Sequence, residues 1–164
     1  MSIMRAVLAF VALLLLAGPA LSKDWGGYGN ARFGYAIDVP PGFTGEGEAE
    51  NGDGQIFRSD DGTQFMRVYG GNALDGFEAA VGAAMVRARE SGWNLSYESV
   101  TPSWASFSGT RNGMVVYARA IALCGGSQFA SFELQYPERD LDEMHAVVER
   151  LVGSLQASGA GLSC

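Results

Sequence analysis

"DGQIFRSDDGTQFMRVYG", Asp53 to Gly70, is the stretch on which the fold turns. It reads either as the end of a cation-binding loop or as a β-hairpin. A calcium loop of the EF-hand kind takes oxygen ligands at its first, third and fifth positions, glycine at the sixth and glutamate at the twelfth. With Gly54 sixth, Asp53 and Asn51 fall at the fifth and third, but Ala49 stands first and Asp60 twelfth. Both ends of the ligand set fail, and the residues after Gly54 alternate as a strand does instead of opening a helix. Asp61-Gly62 between two such runs is a hairpin signal, because glycine accepts the positive φ of a tight turn. The stretch therefore predicts strand "QIFRS", turn "DDG" and strand "TQFMRVYG". A calcium-dependent structural or adhesion domain, resting on Ala49–Gly62, stays as an alternative.

Upstream, "KDWGGYGNAR" is glycine-rich and read as loose at its start, and "FGYAIDV" has the period of a half-buried strand ended by Pro40 and Pro41. "GFTGEGEAENGDG" reads as a loop. Downstream, Leu74, Phe77, Val81, Ala84, Met85 and Ala88 share one helical face, with Asn72 and Asp75 or Asp75 and Glu78 as capping pairs and Gly92 at the C-cap. "NLSYESV", "WASFSGT", "MVVYARAIALC" and "SQFASFELQY" are four strands, the second and third joined by Asn112-Gly113. The strand Met114–Cys124 is apolar on both faces and is placed centrally. Leu141, Met144, Val148, Leu151, Val152 and Leu155 form a second helical stripe. The order β-β-β-α-β-β-β-β-α predicts an α+β fold with a mostly antiparallel sheet.

Residues 1–22 read as a signal peptide: Arg5, then the apolar run Ala6–Gly18, then Ala20-Leu21-Ser22 with cleavage after Ser22. The run is shorter than the ~20 residues a membrane-spanning helix needs. The remainder, residues 23–157 as one domain and 158–164 as a tail, is the size of a single core. The expected location is periplasmic or secreted, as a monomer without a stable membrane span. The full chain carries a net charge of −7, and loss of Arg5 makes it one unit more negative. Such a surface repels nucleic-acid phosphates, so nucleic-acid binding is excluded as the main role. The two cysteines, Cys124 and Cys164, form an even set in an oxidising compartment, and a bridge between them is expected.

"NARFGYAIDVPPGF", "DGQIFRSDDGTQFMRVYG" and "SFELQYPERDLDEMHAVVERLVGSL" together resemble bacterial members of the PsbP-like superfamily. The resemblance implies an antiparallel sheet of about six or seven strands flanked by two main helices. It also implies an accessory or binding module. It carries over no metal-binding or partner-binding residue, and activity does not follow from fold.

The residues themselves assemble no complete catalytic set. His145 is the sole histidine, at the edge of the second helical stripe; no "GxSxG" frames Ser106, Ser108 or Ser127; and the sole lysine, Lys23, belongs to no phosphate loop. Zinc would need more His or Cys ligands than these. No catalytic residue, cofactor or metal site is therefore assigned. A small envelope hydrolase using a carboxylate pair is the alternative, since 18 acidic residues allow many pairs. Trp104 is expected in the core, and Trp93 folded back on the first helix. Trp25, with Tyr28 beside it in "DWGGYG", is the candidate exposed aromatic, read as a lid over the sheet edge or, alternatively, as the contact with a partner, an envelope protein or small ligand.

Overall fold

The computed structural model describes residues 24–159 and Cys164. The expected signal segment 1–22 and tail residues 160–163 lie outside the described residues. Along the chain come β1 (Gly26–Asn30), β2 (Tyr35–Val39), β3 (Phe43–Glu48), β4 (Gly54–Ser59), β5 (Phe65–Asn72) and α1 (Phe77–Glu90). Then follow β6 (Asn94–Val100), β7 (Trp104–Arg111), β8 (Met114–Leu123), β9 (Gln128–Pro137), α2 (Leu141–Ser154) and β10 (Gln156–Ala157). Seven strands pair in the order β3-β4-β5-β9-β8-β7-β6, all antiparallel, and β1-β2-β10 form a small second sheet.

The alternation of β8 explains the layering. Val115, Tyr117, Ile121 and Leu123 enter one core with β2 and α2, while Ala118, Ala120 and Ala122 face the other with α1. The first core holds Tyr35, Met66, Phe132, Leu134 and Leu151, all fully enclosed. Each large apolar side chain so buried contributes ~1.5–3 kcal/mol. The α+β class, the two helices and the stated order of main elements hold, with β8 between β7 and β9 as its two-faced hydrophobicity requires.

The hairpin of the opening stretch is present, with Gly62 at φ 71° and Asp61 accepting from the Thr63 amide and hydroxyl. Asn112 and Gly113, both at positive φ, turn β7 into β8. Gly54 allows a close approach: a Cβ there would lie 1.9 Å from the Val68 carbonyl oxygen.

Three segments differ from expectation. The glycine- and acid-rich segment read as a loop contains β3, an exposed edge strand whose backbone pairs Phe43–Gly45 with Phe57–Ser59 and Glu48 with Gln55 across a bulge. Beyond Phe43, which packs against the first core, its side chains face solvent, so no alternation marks it, and its glutamates blunt an edge that could otherwise recruit further strands. "GGYGN", given no element in the sequence, is β1. Leu74, expected on the helical face, is 95% exposed, because Ala73 is tied to the Ser127 carbonyl and Gly76, at φ 90°, stands before the helix. Neither Asn72 nor Asp75 caps α1, whose N-cap is Gly76 without a side-chain hydrogen bond. Gly92, at φ 89°, follows its C-terminal end as expected.

Cys124 and Cys164 are joined in a disulfide, with Cα atoms 5.3 Å apart across 40 residues of sequence. No described helix is long and apolar enough to cross a membrane.

Candidate ligand-binding cleft

Helix α1 buries Phe77, Val81 and Met85 against β7 and β8. The sheet beneath it is paved with small residues, Ala105, Ala118 and Ala120, and the facing helix surface with Ala80, Ala84 and Ala88. Small side chains on both layers cannot fill the gap toward β9 and β5, so a cleft of about 390 Å³ remains. Phe107, Val116 and the edge-to-face pair Tyr69 and Phe129, 5.8 Å between centroids, complete its apolar wall.

Three arginines stand around this apolar floor: Arg67 on β5, Arg87 on α1 and Arg111 at the end of β7. Arg67 pairs with Glu133 at 3.1 Å and lies over the Tyr69 ring, and Gln135 donates to the same carboxylate at 2.7 Å. Arg111 lies 4.3 Å from the Trp93 centroid and donates to the Ser91 carbonyl at 2.6 Å, its charge unneutralised by any described carboxylate. Arg87 likewise has no carboxylate partner among the described residues. Glu133 is the one carboxylate among the residues lining the cleft. In a chain with net charge −7, this mouth is locally cationic.

No protein-family model and no curated protein sequence matches the chain significantly. Among solved structures, cyanobacterial PsbP (CyanoP) from Synechocystis sp. PCC 6803 superposes with a TM-score of 0.62 at 15% identity, covering 86% of this chain and 96% of that one. The Saccharomyces cerevisiae Ran-binding protein Mog1p gives a TM-score of 0.58 at 10% identity, covering 84% of this chain and 97% of that one. The chain has the PsbP/Mog1-type fold. The resemblance of the sequence motifs to the PsbP-like superfamily thus holds at the level of architecture, over nearly the whole length of both relatives.

On this PsbP/Mog1-type frame the residues singled out in the sequence scatter. Trp25 is half-buried against the core of the opposite face, with the Arg150 guanidinium 4.2 Å from its ring. Tyr28 packs edge-on to Tyr35 and Phe57 and donates to the Glu48 carboxylate. Neither lines the cleft. Trp93 folds back as expected, 6% exposed, its amide donating to the Ala88 carbonyl, and it lines the cleft. Trp104, expected in the core, is half-buried beneath Arg119, because the sheet face around it is open. His145 is exposed on α2, 3.5 Å from Glu149.

Asp53 of the opening stretch and the adjoining Glu48 are already engaged. Asp53 pairs with Arg32 at 2.7 Å, its carbonyl accepts from the Tyr35 hydroxyl, and Glu48 takes hydrogen bonds from Tyr28 and Asn30. Among the described residues no group of three or more His, Cys, Asp or Glu side chains converges as a metal site. Sequence reasoning missed the three cleft arginines. They are far apart along the chain, and only the antiparallel register and the seat of α1 bring them together.

Proposed function

We propose that the chain is an exported, non-catalytic binding module of the PsbP/Mog1-type fold, whose cleft between α1 and the sheet holds a small anionic ligand with an apolar body. The observation that carries this reading is the set of three guanidiniums, with a single paired carboxylate, around an apolar floor in an acidic protein. The volume lies within the ~300–1,000 Å³ of small-molecule pockets, and apolar walls with a few convergent polar groups are their usual make-up. An aryl or branched alkyl carboxylate meets both requirements, its body against Val116 and Phe107 and its head at Arg111 and Arg87.

Export follows from removal of residues 1–22, leaving residues 23–157 as one domain whose tail, 158–164, is held by the disulfide. Against catalysis by a carboxylate pair, the cleft offers Glu133 alone, held by Arg67. A shallower groove beside α2 has Asp142 and Glu149, seven residues apart on an exposed helix face and so ~10 Å apart along its axis. Thermal-shift screening of the disulfide-intact protein against aryl and alkyl carboxylates tests the reading. Stabilisation by carboxylates and not by matching amides is expected. Reproducible turnover in a broad hydrolase screen, lost in Glu133→Gln, would replace the module with an enzyme.

A further inference from the structure

The sheet has a second face, and on it one cation stands apart. Alternation along β8 turns the Tyr117 and Arg119 side chains away from the cleft, toward the side of α2, while Arg119 borders the cleft floor between Ala118 and Ala120 where its carbonyl accepts from the Ser131 hydroxyl. Helix α2 packs on β2, β8 and β9. Beyond it the same face of β7 and β6 carries Trp104, half-buried, and Tyr97, 46% exposed.

The Arg119 guanidinium lies 4.1 Å from the Trp104 centroid, and its Nη1 donates to the Ser106 hydroxyl at 3.2 Å. Its Nε is buried with no hydrogen-bond partner, the one such side-chain atom among the described residues. No described carboxylate pairs with it. A planar guanidinium stacked on an indole, with one hydroxyl acceptor and no anionic partner, still has Nη N–H groups to offer a carboxylate. Burial pulls its pKa down, as expected for a cation lacking a counter-ion, yet an arginine stays charged.

Tyr117 joins this cation to an apolar groove. The ring lies between Arg119 along β8 and the groove that α2 makes with β8 and β9, where Val148 is partly buried and Leu141 is 50% exposed. The groove's outer rim carries Asp142 and Glu149. A visiting acid is thereby repelled from the α2 end and attracted to the Arg119 end, which fixes the direction of an occupant.

We propose that this face docks a partner protein through a segment that places an apolar side chain in the α2 groove and an Asp, Glu or C-terminal carboxylate on Arg119. The site is distinct from the cleft under α1, and either can fail without the other.

Selection of a displayed library of random short peptides against the disulfide-intact protein tests the proposal, with enriched peptides then measured against Arg119→Met, Arg119→Lys and Leu141→Ser. Methionine keeps the packed stem over Trp104, and Leu141 is exposed enough for serine to leave the fold intact; thermal melts check both. Enrichment of peptides pairing an acid with apolar residues is expected. Affinity should fall about tenfold or more in Arg119→Met, less in Arg119→Lys, and measurably in Leu141→Ser. Absence of enrichment, peptides without an acid, or equal binding by Arg119→Met would each overturn it. Self-association of the protein lost in Leu141→Ser, without peptide binding, would assign the face to a second copy and overturn it too.

Discussion

Arg111 and Trp93 form a clasp at one end of the cleft: the guanidinium lies 4.3 Å from the indole centroid while Nη1 donates to the Ser91 carbonyl at 2.6 Å. One side chain thus ties the last turn of α1 to the end of β7. A cation over an indole contributes about 0.5–1 kcal/mol at an exposed site, and the hydrogen bond about 1 kcal/mol more. Arg111→Met is expected to cost ~1–2 kcal/mol in urea unfolding and to shift the Trp93 emission. An unchanged midpoint and an unchanged spectrum would show that the clasp holds nothing.

The disulfide tethers the tail to the end of β8, 40 residues back along the chain. In the chain-entropy account, a closed loop of this length stabilises by up to ~4 kcal/mol. Cys164→Ser, or the wild type with reductant, is expected to lose a large part of that in chemical denaturation. Equal midpoints with and without reductant would mean that the tail contributes no constraint.

Two glycines predict opposite signs. A Cβ at Gly54 would meet the Val68 carbonyl oxygen at 1.9 Å and Tyr69 Cα at 2.8 Å, both backbone atoms, so Gly54→Ala is expected to destabilise by ~1–3 kcal/mol or more. At Gly82, inside α1, a Cβ meets nothing within 4 Å, and Gly82→Ala is expected to stabilise by ~1 kcal/mol. Thermal melts of both variants check the pair; a stable Gly54→Ala would contradict the register of β4 with β5.

The sequence carried the fold wherever a residue's type reports its burial. The alternation of "FGYAIDV" and the two-faced "MVVYARAIAL" placed β2 and β8 without further help, and Asn112-Gly113 placed the turn from β7 into β8. β3 was illegible because an exposed edge strand is held by backbone hydrogen bonds, to which Thr44 and Glu46 add no pattern. Leu74 misled because helical spacing continues past a helix start that a backbone bend at Gly76 enforces. The cleft was illegible for a different reason: an alanine floor looks like ordinary helix and strand filler, and its meaning appears only when two such surfaces face each other. Arg119 lies in an otherwise apolar strand, and that mismatch was a signal available in "VVYARAIA" that went unused.

Alkaline pH probes the N-terminal hairpin. Burial, reinforced by the Glu48 carboxylate and opposed by Asn30, pushes the Tyr28 phenol up to about 12, and burial raises Tyr35 further. Unfolded tyrosines ionise near pH ~10, so above that the unfolded chain binds fewer protons than the folded one, and stability falls as pH rises. The contribution is full below pH ~10 and is lost through the interval up to about 12. Tyrosinate absorbance followed with far-UV circular dichroism is expected to show a late fraction appearing only with unfolding. Smooth ionisation of all six tyrosines near pH ~10 with the fold intact would contradict it.

The cleft is tested most directly by calorimetric titration of the disulfide-intact protein with a series of aryl and branched alkyl carboxylates, their neutral amides and the corresponding amines, with Trp93 fluorescence read in parallel. Saturable binding of a carboxylate is predicted, about tenfold or more weaker for its amide and for Arg111→Met, and absent for the amine. Equal affinity for acid and amide, or no binding by any carboxylate in the series, would contradict the account.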